Sequence, residues 1–128
     1  NTGAYPKLKN CGLAKSLTEM PIIFHQSKIN LNITAKAIRS ALPLRIWDIL
    51  SSGGFCLTNY QSELGDELQI GKHLACYTSL EELDDLVGYY LDHEKERCEI
   101  ADAGYAYVKE HCTYPIRLTR MLEMAFRL

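Results

Sequence analysis

The sequence predicts an α/β domain, a parallel sheet covered by helices. Three observations carry this expectation. Short apolar segments of strand type alternate with segments of helical period, no internal repeat or low-complexity linker interrupts them, and the 128 residues amount to one domain. A chain of that length buries roughly two-thirds of its unfolded surface, enough for a real core.

The elements follow in order. Thr18-Glu19-Met20-Pro21 reads as a helix start, with Thr18 as cap and Pro21 in the first turn, where its missing N–H costs nothing. That helix runs to about Gln26. Residues 29–34 (Ile-Asn-Leu-Asn-Ile-Thr) alternate apolar and polar as a strand does. A loop over 35–42 leads to Pro43 as the first residue of a helix over 44–52, stopped by Gly53-Gly54. Residues 55–58 form a strand, 60–72 a turn-rich connection with a helical turn at 63–68, and 74–77 the next strand. Ser79-Leu80-Glu81-Glu82 is a capping box, its serine accepting from the Glu82 amide while the carboxylate reaches back. The helix it opens is expected to bury Leu80, Leu83, Val87, Tyr90 and Leu91. A second helix over 94–110 has Ile100, Ala101, Gly104 and Val108 inward. A third, capped by Thr113 or Tyr114, carries a stripe of Leu118, Met121, Leu122, Ala125 and Phe126.

Composition excludes several classes. With 47% hydrophobic and 23% charged residues the chain is not globally disordered. No run approaches the ~18 apolar residues of a membrane span. Fourteen Lys and Arg against sixteen Asp and Glu give a net charge of -2, with Lys7, Lys9 and Lys15 spread rather than clustered, so nucleic acid is not an expected partner. The five cysteines are odd in number and lack C-x-x-C spacing. Cys56 and Cys76 sit in apolar segments as small hydrophobes, which suggests a reducing cytoplasm. The four histidines lie far apart without ligand spacing, so no metal site is expected. The polar start without an initiating Met reads as part of a longer protein.

The segment from Ser27 to Gln61 carries the chemistry. Ligands of open α/β sheets bind beyond the carboxyl ends of the strands. The helix opening at Pro43 offers free N–H groups and a partial positive charge to a phosphate, and Arg45 in its first turn adds a guanidinium. Asp48, one turn on, suits sugar hydroxyls. The plain alternative is that Arg45 and Asp48 pair with each other across the turn. Gly53-Gly54 reads as a helix stop rather than a phosphate loop, Trp47 as packing between helix and sheet, and Glu63 as surface. Tyr89-Tyr90 reads as one boundary ring and one core ring.

Several blocks match a known family in order. They are Ser27-Lys28-Ile29-Asn30-Leu31-Asn32-Ile33-Thr34, Pro43-Leu44-Arg45-Ile46-Trp47-Asp48-Ile49-Leu50, Gly53-Gly54-Phe55 and Asn59-Tyr60-Gln61-Ser62-Glu63-Leu64. Tyr89-Tyr90-Leu91, Glu96-Arg97, Ala103-Gly104-Tyr105 and His111-Cys112-Thr113-Tyr114 continue in register. Over roughly residues 16–120 the chain resembles the nucleotide-binding C-terminal domain of GT-B glycosyltransferases. The nearest set is the group-1-like one that includes the CgeB-type spore-maturation proteins.

The resemblance implies a Rossmann-like three-layer α/β/α fold, a partial donor domain over 1–128 with a helical tail from about residue 79. It implies a nucleotide-diphosphate sugar as ligand, an acceptor-holding N-terminal domain elsewhere in the parent chain, and no metal or other cofactor. By position, Thr34 and the 40–44 loop, with Ser40, Ala41 and Leu44, border the phosphates. Arg45 faces the diphosphate or donor sugar as the catalytic cation, and Asp48 takes the place of the acidic residue on the ribose. The family's other acidic position falls on Ser40 here, and its glycine on Ala41. The alternative is a non-catalytic binding or interaction module of degenerate GT-B fold. An exposed sheet edge, open to association of copies, is a further expectation.

Overall fold

The computed structural model describes residues 7–15, 17–34 and 42–126. The order of elements is α1 (Met20–Gln26), β1 (Asn30–Asn32), α2 (Leu44–Ser51), β2 (Cys56–Asn59), α3 (Leu64–Glu67), β3 (Ala75–Tyr77), α4 (Leu80–Asp92), α5 (Glu94–His111) and α6 (Tyr114–Phe126). The three strands form one parallel sheet in sequence order, with Asn32 in register with Thr58, and Thr58 with Cys76. Helices flank it, so the α/β class and the Rossmann-like layering hold.

Two apolar clusters lie on opposite faces of the sheet. On one face α1 and α2 bring Phe24, Ile46, Ile49 and Leu50 against Cys56 and Leu74. On the other, α4 and α5 bring Tyr90, Ile100 and Ala101 against Leu57, Ala75 and Tyr77. The later half of α5 reaches round to α2 through Val108 and Gly104. There a side-chain carbon on Gly104 would lie 2.6 Å from the His73 carbonyl oxygen and 2.9 Å from Leu50.

The α2 boundaries show why this helix is short. Pro43 is its cap rather than its first residue, with extended backbone (ψ 141°). At the other end Gly53 takes φ +75°, its N–H bonds the Leu50 carbonyl, and the Gly54 N–H bonds that of Ile49. This doubly bonded stop needs glycine at the left-handed position. A Cβ on Gly54 would in addition lie 2.6 Å from the Phe24 carbonyl oxygen.

Several expectations are corrected. The first helix begins at Met20 with Glu19 in the cap position, and Thr18 lies in the turn before it. In β1 the alternation is real but its phase is inverted: Asn30, Asn32 and Thr34 are buried, while Leu31 and Ile33 are 47% and 71% exposed. The reason is polar pairing. Asn30 Nδ2 donates to the carbonyls of Phe24 (2.8 Å) and Phe55 (3.2 Å), and Asn32 Nδ2 donates to Thr58 Oγ1 (3.0 Å). In α4 the inward stripe is Leu83, Leu86, Val87 and Tyr90, and Leu80 and Leu91 face out. Ser79 caps this helix as expected, but the Glu82 carboxylate reaches one residue further, to the amide and hydroxyl of Thr78. Those two bonds hold the Glu82 carboxyl below the usual carboxylate range. The apolar stripe of α6 is helical yet unburied, with Leu118, Met121, Leu122 and Phe126 all exposed.

Elsewhere Tyr90 is buried as expected, whereas Tyr89, expected at the boundary, is exposed, its hydroxyl donating to Glu96 and its ring stacked on His93. Arg97, almost wholly buried, donates to the Tyr90 carbonyl (2.8 Å) and so closes the end of α4.

Candidate functional site

The carboxyl ends of β1 and β2 and the start of α2 meet at one edge of the sheet. Thr34 lies there, 7% exposed, and Asn59 grips it from the end of β2. Asn59 Oδ1 accepts the Thr34 amide (2.8 Å), and Asn59 Nδ2 donates to the Thr34 carbonyl (3.4 Å). The Thr34 hydroxyl accepts from Asn32 (3.3 Å). Thr34 is thus a fixed strand end with its polar atoms engaged inward. Asn59, Asn32 and Thr58 were invisible as a unit in the sequence, because their partners lie 25 or 26 residues away.

The chain enters α2 with no side chain capping it, since Pro43 has none to offer. The Ile46 amide donates to the Pro43 carbonyl (3.1 Å), while those of Leu44 and Arg45 have no partner among the described residues, so the helix keeps two donors at its positive end. Arg45 stands in that turn, exposed, its guanidinium 5.8 Å from the centre of the Phe24 ring. Among the described residues Arg45 pairs with no carboxylate, so the alternative in which it is spent on Asp48 is not what the structure shows.

Arg45 and Asp48 share the outer side of α2 but lean to different flanks. Arg45 leans toward α1, whereas Asp48 lines a cleft of about 640 Å³ between α2, α5 and the start of α6. Leu44, 79% exposed, lines the same cleft, together with Trp47, Tyr105, Lys109 and Arg117. Its chemistry is an apolar wall with one carboxylate and two cations near it. Trp47 is half-buried, with the Arg117 guanidinium 4.9 Å from its ring centre, and Arg117 pairs with Glu67 at 3.3 Å. Ser40 and Ala41 lie outside the described residues.

Cys56, Cys76 and His73 are structural. Burial pushes the Cys56 and Cys76 thiols up to about 12, each raised a little further by a neighbour, Cys76 for the first and Glu82 for the second. A thiol so raised is a poor nucleophile. His73 is buried; its Nδ1 accepts the Gln69 amide (3.0 Å) and its ring lies 4.6 Å from that of Tyr107. Burial, then Lys72, lowers its proton affinity. Among the described residues no three His, Cys, Asp or Glu side chains gather as a metal would need, and no helix is long and apolar enough to cross a membrane.

The structure thus gives a parallel α/β layer with an uncapped α2 start, Arg45 on the α1 side of that helix and Asp48 in the cleft on its other side. Residues 4–123 match the family described as glycosyl transferase-like, and the chain belongs to that family. No curated protein and no solved structure matches it.

Proposed function

We propose that the chain is the donor-binding part of a glycosyltransferase of GT-B type, a C-terminal domain akin to the CgeB-type set, acting on a nucleotide-diphosphate sugar. The observation that carries this is the uncapped start of α2 beside an Arg45 that pairs with no carboxylate among the described residues. Family membership supplies the reaction class.

In this reading the Leu44 and Arg45 amides at the start of α2 and the Arg45 guanidinium hold the diphosphate. As the bond from the sugar's anomeric carbon to the phosphate oxygen breaks, the electron pair goes to the diphosphate. The fixed helix end and the guanidinium stabilise that charge without reorganising. The acceptor hydroxyl adds to the anomeric carbon, and its proton passes to the departing diphosphate oxygen or to water. Asp48 accepts hydrogen bonds from the ribose hydroxyls in the cleft it lines with Leu44, and the 40–44 loop, with Ser40 and Ala41, borders the phosphates. Thr34, clamped by Asn59, fixes the strand end from which that loop departs. An N-terminal domain of the parent chain holds the acceptor, and the two domains close on the donor. Five unpaired thiols, of which Cys11 and Cys98 are exposed, favour the cytoplasm.

The test is titration of the full-length protein with UDP-glucose, GDP-mannose and dTDP-glucose, followed by assay for glycosyl transfer or donor hydrolysis. Saturable binding with turnover is expected. Binding without turnover would favour a non-catalytic module, and no binding would refute the reading.

A further inference from the structure

Gln61 is the side chain that the fold leaves unmatched. It lies two residues beyond Asn59, at the same carboxyl edge of the sheet. Its backbone carbonyl accepts the Leu64 amide (3.1 Å) and starts the turn into α3. Its side-chain Oε1, however, is closed off from water and has no hydrogen-bond partner, alone among the buried side-chain nitrogens and oxygens of the described residues. The asparagine amides toward that edge are engaged, Asn32 with two threonines and Asn59 with Thr34.

A buried carbonyl without a donor is costly, and an apolar side chain of the same length would remove that cost. Polar groups kept unsatisfied in this way concentrate at functional sites. Gln61 is only half-buried as a residue, so a side-chain rotation brings its amide to the surface at that edge. Oε1 accepts and does not donate, so its match is an O–H or N–H. The ionised oxygens of a diphosphate have none to give.

We propose that Gln61 is a specificity residue of the donor site, its Oε1 accepting from a glycosyl hydroxyl or a nucleobase N–H rather than meeting the diphosphate. This rests on the donor-site reading above. The experiment compares wild type and Gln61→Met in the full-length protein. It titrates UDP-glucose, GDP-mannose and dTDP-glucose, the corresponding nucleoside diphosphates and the free nucleosides, and records the melting midpoint without ligand. The variant is expected to melt at the wild-type temperature or above, yet to bind the nucleotide sugar roughly five- to tenfold more weakly. A loss shared by the nucleoside diphosphate and by the free nucleoside assigns the partner to the base, a loss confined to the nucleotide sugar assigns it to a glycosyl hydroxyl, and a loss shared by the nucleoside diphosphate but not by the free nucleoside points to the diphosphate and overturns the proposal. Unchanged affinity for all three overturns the proposal. So does weaker binding accompanied by a fall of several degrees in melting, which makes the residue structural. Absence of any binding by wild type refutes the donor-site reading and this proposal with it, whereas binding by wild type with an indifferent variant sinks this proposal alone.

Discussion

Replacing Gly104 by alanine tests how α5 seats the site-bearing helix. On helix propensity alone the change gains about 1 kcal/mol. The structure opposes it, because the new carbon would sit 2.6 Å from the His73 carbonyl oxygen and 2.9 Å from Leu50 Cδ2. The first of these is backbone, held by the His73 ring's bond to the Gln69 amide and by its contact with Tyr107. Such overpacking costs about 1–3 kcal/mol, and a clash with anchored backbone belongs in the upper half of that range. The net is a loss of about 1–2 kcal/mol. Gly88, within α4, has nothing within 4 Å of the corresponding position, so Gly88→Ala keeps the full propensity gain. Two mid-helix Gly→Ala changes should thus move stability in opposite directions, about 2–3 kcal/mol apart. At this size that is roughly 10 °C between their melting midpoints. Denaturant and thermal unfolding of the pair measures it. Equal stabilisation by both would refute the claim that α5 lies so close against α2 and the turn before β3.

Two further predictions concern the two ends of the sheet. The folded pKa of His73 lies below 6.5, so the unfolded chain binds the extra proton; its contribution is complete above that pH and is lost as pH falls below it. Urea midpoints followed from about pH 8 to about pH 5 should fall less steeply in His73→Gln than in wild type, and parallel curves would contradict this. Asn59→Ala removes both bonds to Thr34 and leaves a buried amide unpaired, at a cost of about 1–3 kcal/mol. Hydrogen exchange at the Thr34 amide should speed up, and unchanged protection there would show that Asn59 is not the clamp.

The sequence made most of the architecture readable, because periods survive without tertiary knowledge. The stripe of α5, Ile100, Ala101, Gly104 and Val108, and the Gly53-Gly54 stop were found where they stand. Phase and burial were less readable. A period of two is the same whether Leu31 and Ile33 or Asn30 and Asn32 face inward, and only the distant partners Phe24, Phe55 and Thr58 decide it. Likewise α6 shows its amphipathic period, but nothing in that period says whether anything packs on it. At the candidate site, the helix start at Pro43 was legible because helix starts have local signatures, and Arg45 and Asp48 were placed on its exposed side by spacing alone. Asn59 and Gln61 were not legible, because an amide's role depends on what surrounds it. That Arg45 and Asp48 lean to opposite flanks also escaped the spacing, since three residues along a helix leave them about 60° apart around its axis.

The central claim is that the start of α2 and Arg45 hold the diphosphate. Calorimetric titration of wild type and Arg45→Ala, each with the nucleoside diphosphate of the bound donor and with the bare nucleoside, tests it directly. A guanidinium–phosphate bond lost from the complex predicts at least roughly tenfold weaker binding of the diphosphate and an unchanged affinity for the nucleoside. Equal affinity of both proteins for the diphosphate, or an equal loss for the two ligands, would contradict it.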